Sequence, residues 1–100
     1  MRIDRWTADI IPSEQIILRL LETEGLEPQP VIVKSGTKLS NKRTLMTEVI
    51  QVTEGELIFN LSGTQFVLRP GDRLEMASNT QYSYSNMKDL RAVFFTALKV

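Results

Sequence analysis

The sequence contains no cysteine and no histidine. The first absence removes disulfides, thiolate nucleophiles and sulfur-ligated metals. The second removes the commonest metal ligand and the commonest general base near neutral pH. Any site must therefore be built from carboxylates, Lys, Arg, Tyr, Ser, Thr, Asn, Gln and backbone groups. An excess of charge of one sign is also lacking. Lys and Arg number 12 and Asp and Glu number 12, which gives a formal net charge of zero and argues against nucleic acid as a partner. A small basic cluster, Lys34, Lys38, Lys42 and Arg43, has no interleaved aromatic residues and no helix to present it, so it reads as a solvated loop edge. Long apolar runs are missing as well. The opening "MRIDRWTADII" is not a signal peptide, and no stretch approaches the ~20 apolar residues of a membrane span. The expectation is a soluble, cytoplasmic protein with neither nucleic acid nor membrane as partner.

What is present is one domain, residues 1–100. A chain of this size leaves much of its surface exposed, so pairing into a homodimer is expected. Residues 1–25 divide into a short alternating segment, "RIDRW", and a helix in "PSEQIILRLLETEG". Ser13 is placed to cap the helix, Glu14 favours its positive end, and Gly25 is placed to stop it. Ile16, Ile17, Leu20 and Leu21 recur at helical spacing and predict its buried face.

Residues 26–100 read as strands and turns. "PVIVKSG" is a β-branched run stopped by Gly36. "TLMTEVIQVTEG" is a strand with Thr44, Met46, Glu48, Ile50 and Val52 on one face. "ELIFNLSG" puts Leu57, Phe59 and Leu61 together, "TQFVLRPGD" ends in a Pro-Gly turn, and "LRAVFFTALKV" is the last strong strand. Short strands at regular spacing, punctuated by Gly, indicate an all-β sandwich or barrel. Leu57, Phe59, Leu61, Val67 and Phe94 or Phe95 are the candidate core, and Asp72 reads as a turn residue bonded to local backbone.

The punctuation is specific. Gly36, Lys42, Thr44, Glu48 and Gly55 fall at the intervals of the first cupin motif, Gly, His, His, Glu, Gly. "GTQFVLRPGD" supplies Gly63, Pro70, Gly71 and Asp72 of the second motif, and "MASNTQYSYSN" places Tyr82 at its His and Asn86 at its closing Asn. The chain thus resembles a small single-domain cupin over roughly residues 26 to 98. The resemblance implies an all-β double-stranded β-helix, a jelly-roll barrel, with one short N-terminal helix. In cupins the motif histidines and the Glu converge on one metal. Here only Glu48 of that set remains, and one carboxylate is a poor site for a divalent metal. The expectation is no metal and no cofactor.

In place of the metal, the resemblance points Lys42, Thr44, Glu48, Tyr82 and Tyr84 at one space, with Gln81 nearby. Two arrangements stay open. Lys42 pairs with Glu48 and supplies the missing positive charge, or Lys42 reaches out of the mouth while Glu48 bonds Tyr82 or Thr44. Tyr82 and Tyr84 either wall a pocket or plug the barrel. The leading functional expectation is a non-enzymatic binding module for a small polar metabolite. The alternatives are a dimeric interaction protein with a filled barrel, using outward residues such as Val49, Ile58 and Val93, and a metal-free sugar isomerase or epimerase with Glu48 as base and Tyr82 or Lys42 as acid.

Overall fold

The computed structural model describes all 100 residues. In chain order they form β1 (Arg2–Asp4), α1 (Glu14–Thr23), β2 (Gln29–Val33), β3 (Lys38–Arg43), β4 (Thr47–Glu54), β5 (Leu57–Leu61), β6 (Thr64–Leu68), β7 (Arg73–Met76), β8 (Gln81–Ser85) and β9 (Ala92–Lys99). The strands make two antiparallel sheets. One is five-stranded in the order β1-β7-β4-β9-β2, the other four-stranded in the order β3-β8-β5-β6. The crossed order, in which sequence neighbours such as β3 and β4 lie in different sheets, is a jelly-roll arrangement.

Strand alternation builds the core between the sheets. Ile50, Val52, Leu74, Met76 and Phe94 face inward from the five-stranded sheet, and Leu57, Phe59, Leu61, Leu68 and Tyr82 meet them from the other. The opposite face of the five-stranded sheet is not left to solvent. There Val49 and Phe95 pack with Ile17 and Leu21 of α1, with Leu18 and Leu26 at the margin. A strand buried on both faces explains why "EVIQV" reads as a near-continuous apolar run. Helix α1 starts where Ser13 Oγ accepts from Ile16 N. Its buried stripe is rotated by one residue from the sequence expectation. Ile17 and Leu21 are fully covered while Leu20 is 45% exposed.

Asp72 does more than close its own turn. Its carboxylate accepts from Arg69 N at 3.0 Å, from Trp6 N at 3.1 Å and from Arg5 Nη1 at 2.8 Å. It therefore fastens the N-terminal segment to the β6–β7 turn. Trp6 lies on Gly71, where an added Cβ would meet its ring at 2.5 Å, and donates its indole N–H to Ile10 O at 2.9 Å. Asn86 is fully buried and donates to Val33 O and Leu90 O while accepting from Lys88 N. It is a structural clamp between loops.

Two differences from the sequence expectation bear on the site. "KLSNKR" is a strand, β3, and Thr44 to Met46 form the bend after it rather than the start of β4. Lys42 and Glu48 therefore belong to different sheets. Val49 and Val93 are covered within the chain, at 0% and 7% exposure, and offer no contact to a second copy. α1 buries Val49 because both faces of the sheet are apolar and only one can face the barrel.

Candidate functional site

Glu48 sits at the start of β4, on the face that looks into the barrel, opposite Leu98 of β9 and Met76 of β7. Thr96, two residues from Leu98 on the same face, donates its hydroxyl to Glu48 Oε2 at 2.8 Å. The Tyr82 hydroxyl approaches the same oxygen at 3.4 Å from the other sheet. Both bonds fall on Oε2, so Oε1 accepts from no protein group. Glu48 lines a recess of about 630 Å³ together with Glu27, Gln29, Met46, Thr96 and Leu98. The only charged side chains in that lining are the two carboxylates.

Tyr82 is 6% exposed and stacks near Phe59, with ring centroids 6.3 Å apart. Burial, and then the negative charge of Glu48, push its phenol well above the ordinary tyrosine range. It stays protonated at neutral pH and serves as a donor. Tyr84 is pushed in the same direction by burial and then Glu48. Its ring packs against Phe59 at 5.3 Å and edge-on to Phe94 at 5.5 Å. Phe59, Tyr82, Tyr84 and Phe94 thus fill the barrel with one aromatic cluster.

Of the five residues singled out in the sequence, the structure brings Glu48 and Tyr82 together and places the others apart in role. Lys42 is exposed and takes part in none of the molecule's ion pairs. It stands opposite Tyr82 across the β3–β8 pair, beyond a bulge between Leu39 and Lys42. Thr44 is buried but committed to the fold. Its hydroxyl donates to Ala77 O at 2.7 Å and accepts from Thr80 N at 2.8 Å. Tyr84 belongs to the plug. Gln81 is exposed, and its carbonyl accepts from Arg43 Nη2 at 3.3 Å. Sequence reasoning missed Thr96, because it lies in the last strand outside both motifs. It also missed Glu27, just before β2, and Gln29, the first residue of β2, since both lie outside the two motifs. The signal for Thr96 was a lone polar residue at the inward parity of "AVFFTALKV".

Comparison with solved structures follows from this geometry. A cupin superfamily protein from Desulfitobacterium hafniense superimposes with a TM-score of 0.66 at 12% identity, covering 75% of this chain and 67% of that one. The cupin domain of Drosophila melanogaster CENP-C gives 0.64 at 26%, covering 70% and 58%. The fold is a small cupin. The DMSP lyase DddQ from Ruegeria pomeroyi superimposes with a TM-score of 0.68 at 18% identity over 75% of this chain, which spans 38% of its length. No protein-family model and no curated protein sequence matches.

The residues of this barrel do not fit the metal that the resemblance to cupins implies. Nowhere do three Asp or Glu side chains converge. Around Glu48 the neighbours are a hydroxyl bonded to Oε2 and a phenol, with Glu27 on the same recess. Glu48, even with Glu27 on the same recess, does not supply the three or more protein ligands that a resident divalent ion needs.

Proposed function

We propose that this cupin is a binding module that takes a small polar molecule at the barrel mouth, with Glu48 as the anchoring group. The observation that supports it is the one-sided satisfaction of Glu48. Thr96 and Tyr82 hold Oε2 from within, and Oε1 is left to the recess. A carboxylate fixed on one oxygen and open on the other is an acceptor ready for a ligand's ammonium or hydroxyl group. Glu27 and Gln29 on the same recess favour a ligand rich in donors over an anion. Tyr82 acts as a positioning residue for Glu48, and Lys42 stands at the rim with no contact to the anchor. Acid–base catalysis finds less support. Tyr82 is held protonated, Lys42 forms no ion pair with Glu48, and no second carboxylic acid bonds it.

A thermal-shift panel of amines, polyols, sugars, nucleotides, organic acids and divalent metals tests this reading. A ligand at about 100 times its Kd adds about 2.7 kcal/mol and raises the Tm of a domain this small by roughly 10 °C or more. The expected result is a shift with a donor-rich compound that disappears in Glu48→Ala. A large shift with a divalent metal, lost in the same variant, overturns the reading.

A second reading rests on the aromatic plug. A barrel filled by Phe59, Tyr82, Tyr84 and Phe94 places function on the outer surface. The Drosophila melanogaster CENP-C cupin domain, at 25% identity to this chain, is known bound to CAL1. Under this reading the protein is an interaction module, acting as a homodimer. Sedimentation at micromolar concentration separates the two: a monomer with a responsive recess favours the first, an unresponsive dimer the second.

A further inference from the structure

Outside the barrel, the outer face of the four-stranded sheet carries two adjoining hollows of about 400 and 250 Å³. They share Ser40, Asn60 and Ser83 as a common wall. Asn41 and Gln81 extend the floor in one direction and Gln65 in the other. Register puts Asn60, Ser83 and Gln65 on one face, since Asn60 pairs with both Ser83 and Gln65 across the central strands, while Phe59, Leu61 and Tyr82 alternate to the core.

An outward sheet face is normally polar, and charged residues usually supply that polarity. Charged residues make up 24% of this chain, yet Lys38 is the only charged side chain on the walls of both hollows. The surface is made of uncharged hydroxyls and amides instead. Several are unspent. Asn60 uses its carbonyl to accept Gly63 N at 3.0 Å and keeps its NH2 free. Gln81 likewise spends only its carbonyl, on Arg43. The Ser40 and Ser83 hydroxyls and the Gln65 amide bond to no protein group. The backbone is bent to deepen the hollow. β3 bulges between Leu39 and Lys42, and Asn41 within the bulge takes φ 59°, a conformation that non-glycine residues seldom adopt.

We infer that this face is a binding groove for a neutral, polyhydroxylated ligand, an uncharged oligosaccharide. Strand geometry sets the free donors and acceptors at intervals of roughly 5 Å across the strands and roughly 7 Å along them. A chain of linked sugar rings both donates and accepts along its whole length, so it satisfies such a mixed row. A charged ligand finds cations only at the two ends, Lys38 at one and, at the other, Arg43, whose guanidinium is taken up by Asn79 and Gln81. A peptide finds only Ile58 as an outward apolar anchor on these walls, since Leu39 pairs with Tyr84, whose ring packs into the barrel. No exposed aromatic ring is available for stacking, so affinity in the millimolar range is expected.

Titration of the 15N-labelled protein with maltotriose, cellotriose and xylotriose, each to about 10 mM, tests this. The expected result is that at least one trisaccharide moves the amide signals of Ser40, Asn60 and Ser83. Ser83→Lys, which fills the shared wall, should weaken that response at least tenfold. Ser40→Lys, at an exposed position, should do the same and serves if the first variant fails to fold. The inference is overturned if no trisaccharide moves these signals. It also fails if the moved signals are those of Glu48 and Thr96 at the barrel mouth, or if folded Ser83→Lys and Ser40→Lys respond as the parent does.

Discussion

A carboxylate at the margin of a packed interior needs hydrogen-bond donors, and the two that reach Glu48 are neutral hydroxyls. Losing the closer one leaves part of the carboxylate desolvated without compensation. Thr96→Val should therefore cost about 1 kcal/mol in urea denaturation. Lys42→Ala, at an exposed residue outside every ion pair, should stay within about 0.5 kcal/mol. The reverse order would restore a Lys42–Glu48 pair. Tyr82 carries a second prediction. Burial, and then Glu48, hold its phenol above the ordinary value of 10.0 in the folded state. The neutral form is thus favoured in the native protein. Its contribution is complete below about pH 10 and is lost as the pH rises beyond that, because the unfolded chain releases the proton first. Between pH 8 and 11 the parent should lose stability faster than Tyr82→Phe, and parallel curves would contradict this. At this scale the sequence showed Glu48 and Tyr82 through motif spacing. It did not show Thr96, because a cross-strand partner depends on register that one strand's sequence does not carry.

Among the elements, the N-terminal segment and the barrel are joined at one tight contact. Gly71 has φ +92°, and any Cβ there would lie 2.5 Å from Trp6. Gly36 has a similar φ, +77°, but open space around it. Gly36→Ala should cost about 1 kcal/mol, from backbone strain alone. Gly71→Ala should cost at least about 1 kcal/mol more and expose Trp6, read as a red shift of its fluorescence. Equal costs would mean that the Trp6 contact is loose. The α1 cap and the strong strands were legible because each has a local cause: Ser13 for the cap, alternation for β5, a β-branched run for β2. β3 was not, since "KLSNKR" has one apolar residue and takes its strand conformation from pairing with β8. The rotation of the α1 face has the same kind of origin. Ile16, Ile17, Leu20 and Leu21 allow two stripes, and the position of Val49 and Phe95 selects the one through Ile17 and Leu21.

For the whole molecule, the decisive matter is whether the barrel is a container or a solid. Phe59 touches all three other rings of the plug, at centroid distances of 6.3, 5.3 and 5.9 Å, and is itself completely buried. In a solid interior, truncating it removes dispersion contacts on every side and leaves a void that its neighbours fill only in part. Phe59→Ala should then cost about 3–5 kcal/mol, and the cavity, lined by Tyr84, Phe94 and Leu residues, should stay dry and take up benzene with a rise in Tm. Tyr84→Phe keeps the ring and should change stability by less than about 1 kcal/mol. In a water-filled container the pattern inverts: Phe59 would have fewer contacts to lose, its truncation would cost well under 2 kcal/mol, and benzene would give no stabilisation over the parent. The pair of variants thus measures how much of the cupin cavity has been given over to packing, and so how far into the barrel a ligand at Glu48 can enter.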